Sequence, residues 1–329
     1  MSDASRGGDA CGMGYPRAYL VVPGAAGTFH CVSRCVRRAF LCGADAVSGR
    51  CFDHRKDWLE LRLIELAGIF SISVLAYAVM SNHLHGVVHV DPVGAAGWSD
   101  EAVAERWMRL FPARVDGVVD AEACRLKAWV LTGNAERIAL LRQRLGDLSW
   151  FMRCVAEPLA RLANQEDRCT GRFWEGRFRC QALLDDDAVL ACMAYVDLNL
   201  VRAGIADDLP TSAHTSVRAR LAQAETQATQ PIAAIVGPPR IGFLPLSEQQ
   251  YVALVDWAGR RLHPGKRGVI DSAAPFPLPS RGDPEAWLKQ VRGIESRFCR
   301  AIGSVQALLE KARDMGQRWL MVRRVERLA

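Results

Sequence analysis

Residues 77–90 read Tyr77-Ala-Val-Met-Ser-Asn-His83-Leu-His85-Gly-Val-Val-His89-Val90, and the fold of this chain turns on them. Both halves are short apolar runs with a polar corner, Ser81-Asn82, between them. That pattern predicts a β-hairpin over 72–80 and 83–90. Side chains alternate along a strand, so His83 and His85 share one face, with Leu84, Gly86, Val88 and Val90 on the other. A lone histidine is more often a satisfied core residue. Two on one strand face with apolar backing make half of a divalent-metal site. His89 falls on the same face and is read as peripheral.

Working outward, Tyr195-Val-Asp-Leu-Asn199 follows Asp185-Asp-Asp-Ala-Val-Leu-Ala-Cys-Met-Ala194, a helical stretch. Tyr195 and Asn199 are four apart, which puts an amide one turn from a phenol on the same helix face. Residues 28–36 read as a first strand and 176–184 as a last one. Residues 53–70 read as an amphipathic helix with Trp58, Leu61, Ile64 and Gly68 near a 3.6-residue period. A helical insertion is expected over 101–146 and a second amphipathic helix over 148–164. Strand, helix, hairpin, helix, strand predicts an α+β domain with an antiparallel sheet and helices on one face.

After Gly204 the texture changes. Residues 223–230 are a polar Ala/Gln/Thr tract, Pro238-Pro239 is a break, and 264–284 is dense in proline and glycine. Helices near 247–262 and 285–320 then suggest a C-terminal helical module, with 206–329 as linker and module. Residues 1–14 read as a disordered leader.

The chain has 329 residues, half of them hydrophobic, yet no segment reads as a transmembrane span or signal peptide. Its eleven cysteines are an odd, irregular set, which favours reduced cytosolic thiols over a disulfide framework. Cys31, Cys35, Cys42 and Cys51 lack Cys-x-x-Cys spacing, so buried thiols are favoured over zinc. The net charge of +6 is unevenly placed. Residues 137–179 hold nine arginines, no lysine and five acids, and residues 286–329 hold ten basic and four acidic side chains. Clustered positive charge suits a phosphate backbone, though any one cluster also reads as a solvated helix face.

Four stretches occur in the order found in the single-tyrosine HUH transposases, and most closely in their REP-associated branch. They are Phe29-His-Cys-Val-Ser-Arg34, Tyr77-Ala-Val-Met-Ser-Asn-His-Leu-His85, Gly171-Arg-Phe-Trp-Glu-Gly-Arg-Phe-Arg179, and Ala194-Tyr-Val-Asp-Leu-Asn199 through Val201-Arg-Ala-Gly204. The resemblance covers roughly residues 15–205. His-x-His alone is weak evidence; the ordered set is strong. Leu200 stands where that family usually has proline, which would help end the helix.

The resemblance implies a ferredoxin-like sheet and a metal-dependent endonuclease and transesterase of single-stranded, palindromic hairpin DNA, working through a 5′-phosphotyrosine link. It implies Tyr195 as nucleophile and His83, His85 and Asn199 as ligands. Two imidazoles and an amide suit Mg²⁺ or Mn²⁺, with positions left for water and phosphate. No nucleotide cofactor is needed, because the covalent link retains the phosphodiester energy. The plainer alternative for Tyr195 is a buried core tyrosine.

Arg172-Phe-Trp-Glu-Gly-Arg177-Phe-Arg179 interleaves cations with aromatic faces, as a single-strand groove does. Arg172, Arg177 and Arg179 read as DNA contacts, and Trp174 as a candidate stacking platform or a core aromatic. The expected partners are single-stranded and hairpin DNA, with no membrane, and the protein acts as a monomer or homodimer, in the cytoplasm beside the nucleoid. A non-catalytic nucleic-acid-binding regulator is the rival reading, and a phosphodiesterase using water in place of Tyr195 is a third.

Overall fold

The hairpin is the centre of a sheet. The computed structural model describes residues 20–36, 42–43, 49–261, 275–278, 283–294, 300–317 and 323–324. The expected leader lies outside the described residues, as do Tyr15, Tyr19, most of the 264–284 stretch and the last five residues. In chain order come β1 (Gly27–Arg34), α1 (His54–Ala67), β2 (Ile72–Val79), β3 (His83–Val90), α2 (Pro92–Ala96) and α3 (Asp100–Leu110). A small ribbon, β4 and β5 (Arg114–Val115 and Val118–Val119), interrupts the largely helical insertion that continues with α4 (Ala121–Thr132) and α5 (Ala135–Leu145). Next are α6 (Leu148–Glu166), β6 (Arg179–Leu183), α7 (Asp186–Asp197), α8 (Asn199–Arg202), α9 (Ser216–Gln227) and α10 (Glu248–Arg260). The last elements are α11 (Pro284–Gly293), β7 (Ala301–Gly303), α12 (Val305–Asp314) and β8 (Arg323–Arg324), so a strand divides the expected helical run over 285–320.

The sheet has the order β2-β3-β1-β6-β7-β8. Its first four strands are antiparallel, in the ferredoxin-like order, while β7 and β8 add on in parallel. Met80 N–H donates to His83 O at 2.8 Å and closes the hairpin around Ser81-Asn82. The fold is α+β. Every residue of β2 is buried, so both sheet faces need apolar cover. One helical layer was expected, and two are present. Helices α1 and α6 pack with Ile72, Val74, Tyr77, Val79, Leu84 and Val88 in one core. On the other face α7 lies across β2 and β3, and Leu254, Trp257, Trp287 and Leu288 of α10 and α11 share its core.

Helix α1 corrects the expected inner stripe. Leu61 and Ile64 are exposed, and the buried face is Arg55, Leu59, Leu63, Leu66 and Ala67. Arg55 can take the inner row because Glu166 and Asp167, at the end of α6, accept from its guanidinium at 2.7 and 3.1 Å.

The tyrosine helix starts on a cap: Asp185 accepts from Ala188 N–H at 2.9 Å, and Asp186 and Asp187 fill the first turn. The single helix expected over 185–200 is divided at Leu198, which stays right-handed, so Leu198 N–H still reaches Ala194 O at 3.1 Å. Without proline at 200, Gly204 ends the run with φ +67°. Buried polar groups tie this region to α9 and α10, and those two helices to β2. Asp197 accepts from the hydroxyls of Ser216 and of Tyr251, the latter at 2.5 Å. Arg220 bonds both oxygens of Glu248 at 2.9 and 2.8 Å and the Leu75 carbonyl at 2.7 Å.

Candidate active site

Strand register decides which side chains meet. Arg34 is opposite His83; Val32 is opposite both His85 and Arg179; His30 is opposite Val87 and Gln181. Paired residues share a face, so these three rows form one patch across β3, β1 and β6, beneath α7. The His83 and His85 ring centroids are 4.7 Å apart, and those of His30 and His85 are 5.1 Å apart, stacked at 13°. Tyr195 presents its ring edgewise to His85 at 5.7 Å and to His30 at 6.0 Å. The Arg202 guanidinium carbon sits 4.6 Å from the Tyr195 ring centre.

Hydrogen bonds orient the rings. His83 Nδ1 contacts Asn82 Oδ1. His85 Nδ1 meets His30 Nε2 at 2.9 Å, and His30 Nδ1 meets Gln181 Oε1 at 2.7 Å. Burial lowers His30 and His83 from 6.5 to about 4, and Arg34 adds to the effect at His83. Burial, then the charges of His30, His83, Arg34 and Arg202, hold His85 well below its ordinary range. The rings are therefore neutral near pH 7, the form that binds metal.

The residues present fit a divalent ion. His85 Nε2 and Asn199 Nδ2 are buried with no hydrogen-bond partner. A buried polar atom left unpaired costs about 1–3 kcal/mol unless something satisfies it. A 180° turn of the amide puts the Asn199 oxygen where its nitrogen stands. His89 is at the far end of β3, where Nδ1 pairs with Thr28 Oγ1 at 3.0 Å. Tyr77 and Tyr251 are committed elsewhere, donating to Glu60 and Asp197 at 2.5 Å each.

Arg172, Arg177 and Arg179 are exposed, and Arg179 lies on the histidine face two strands from His85. Trp174 is half-buried: its indole N–H donates to Ala156 O at 2.8 Å and its ring packs on the α1/α6 core. Three of the thiols weighed against zinc, Cys31, Cys35 and Cys42, are buried, and Cys51 is exposed. A separate group at metal-ligand spacing is Asp57, Glu60 and His214, beside Tyr77. His214 Nδ1 is 3.1 Å from Glu60 Oε2. No described helix is long and apolar enough to cross a membrane.

No protein-family profile matches the chain, and no curated protein sequence does. Among solved structures it is similar to a REP-associated tyrosine transposase bound to a REP hairpin. The likeness is distant. Identity is 12%, the TM-score is 0.37, and the match covers 75% of this chain and 97% of that one. Such a score carries no argument about the site, which stands on its own geometry.

Sequence reading does not single out His30, Arg34, Gln181 or Arg202. Three of them were signalled, because His30, Arg34 and Arg202 lie inside the matched stretches. Gln181 carried no signal; only the β1–β6 register brings it to His30.

Proposed function

We propose that this chain cuts and rejoins single-stranded, hairpin-forming DNA through Tyr195, as a metal-dependent transesterase of the REP-associated transposase type. The observation that carries the reading is the packing of Tyr195 against His85 and His30, with Arg202 over its ring. His83, His85 and Asn199 would hold Mg²⁺ or Mn²⁺, which when bound neutralises charge on the phosphodiester. Residues 15–205 carry this chemistry, and the segment after 205 buttresses the tyrosine helix.

The steps belong to the chain's own groups. Tyr195 Oη forms a bond to phosphorus while the bond to the 3′ oxygen breaks. The phenol gives its proton to water, and the departing oxygen takes one up and leaves as a 3′ hydroxyl. Arg34 and Arg202 place positive charge beside the scissile phosphate, while Arg172, Arg177 and Arg179, before and at the start of β6, guide the strand. A second strand's 3′ hydroxyl then displaces the tyrosine.

Full-length protein incubated with hairpin DNA and Mg²⁺ or Mn²⁺ should give a covalent adduct on a denaturing gel. Tyr195→Phe should bind DNA and give none. His83→Ala with His85→Ala should lose both adduct and Mn²⁺ binding. Binding without any adduct in the wild-type protein overturns the reading in favour of a regulator, and normal cleavage by Tyr195→Phe transfers attack to water.

A further inference from the structure

A run of hydrogen bonds leads from the end of α11 to the bare nitrogen of His85. Gln181 Nε2 is 3.5 Å from the Ile294 carbonyl, a long contact. Gln181 Oε1 is 2.7 Å from His30 Nδ1, and His30 Nε2 is 2.9 Å from His85 Nδ1. His85 Nε2 ends the run, buried and without a partner.

A neutral imidazole has one N–H and one lone pair, so two such rings in contact have only two consistent settings. A carbonyl oxygen can only accept, and Ile294 O therefore needs the NH₂ side of the Gln181 amide. That turns Gln181 Oε1, also an obligate acceptor, toward His30. His30 Nδ1 must then carry hydrogen, which leaves His30 Nε2 as an acceptor. His85 must donate to it from Nδ1, and its remaining nitrogen, Nε2, is left with a lone pair. With the amide reversed, every hydrogen moves over and His85 Nε2 becomes an N–H that no cation can use.

We propose that Gln181 and His30 are positioning residues that set the tautomer of His85, so that its Nε2 lone pair faces the metal. The Ile294 carbonyl at the end of α11 favours this setting, which links the ligand's state to the last part of the chain. Outer partners of this kind typically change metal affinity about 10–100-fold when removed. The metal half of this inference rests on the proposed function; the tautomer half does not.

The test is long-range ¹H–¹⁵N correlation of full-length, histidine-labelled protein without metal at neutral pH. The His85 signals are assigned by their loss in His85→Gln. The expected result is pyrrole-type Nδ1 and pyridine-type Nε2. In Gln181→Leu the two His85 forms should mix, and Mn²⁺ affinity measured by calorimetry should fall about tenfold or more. Pyrrole-type Nε2 in the wild-type protein overturns the proposal, and that spectrum decides even if Gln181→Leu fails to fold. An unchanged His85 spectrum in folded Gln181→Leu also overturns it. The two readings fail separately. A correct tautomer with no DNA adduct removes the proposed function and leaves the relay. An adduct with the reversed tautomer removes the relay alone.

Discussion

Replacing Arg220 with methionine tests whether α9 and α10 are part of the structure that holds the tyrosine helix. Arg220 is fully buried, and its partner Glu248 is 2% exposed. The guanidinium binds both Glu248 oxygens, the Leu75 carbonyl of β2 and the Ala233 carbonyl at 3.2 Å. Its charge also lowers the pKa of Asp197, which burial raises to about 6. Methionine fills much of the volume but leaves Glu248 with one donor, the Ala233 N–H at 3.0 Å. Stranding one member of a buried pair costs about 3–5 kcal/mol. Against a total of about 5–15 kcal/mol that is a large share. Replacing both residues, Arg220→Met with Glu248→Leu, should recover at least about 2 kcal/mol, because neither member of the pair is left without its partner. The assay is urea unfolding followed by tryptophan fluorescence, since Trp257 and Trp287 lie in the same core as α7. A loss below about 1 kcal/mol for the single variant, or a double variant no more stable than it, refutes the reasoning.

Arg179→Ala should weaken binding to all single strands alike and lower the slope of log K against log salt by about 0.7; an unchanged slope makes Arg179 a solvent-facing side chain only. Acid should destabilise the metal-free protein. His30, His83 and His89 have folded values near 4 against 6.5, so their contribution is present above pH 6.5 and is lost as pH falls through 4. Asp197 opposes them: its folded value is raised to about 6, so its contribution is present below pH 3.8 and lost as pH rises through 6. The histidines outnumber it, so the melting temperature should drop between pH 6.5 and 4, and a flat or rising profile contradicts this. Ending the chain at Asp207 strips Trp257, Leu254 and Trp287 from the α7 core and both hydroxyls from Asp197. Loss of a cooperative melt is expected, and a folded, cleaving fragment refutes it.

Some of this protein is legible in local sequence. Period-two alternation and the Ser81-Asn82 corner give the hairpin and the shared face of His83 and His85, because strand geometry needs only neighbours in the chain. The Asp185 cap starts the tyrosine helix, as its sequence signals, but the break at Leu198 puts Asn199 in a separate short helix. The stripe of α1 is not legible: Leu61 and Ile64 fit the period as well as Leu59 and Leu63 do. The choice falls to Glu166 and Asp167, more than a hundred residues away, which let Arg55 go inside. The second helical layer is hidden for a similar reason, since uniformly apolar β2 announces two buried faces without naming what covers the second. Only the β1–β6 register joins Gln181 to His30, and only the turn of α7 onto β3 brings Tyr195 to His85. Pairing across 60 to 150 residues depends on how distant strands align, and no periodicity within either strand encodes that alignment.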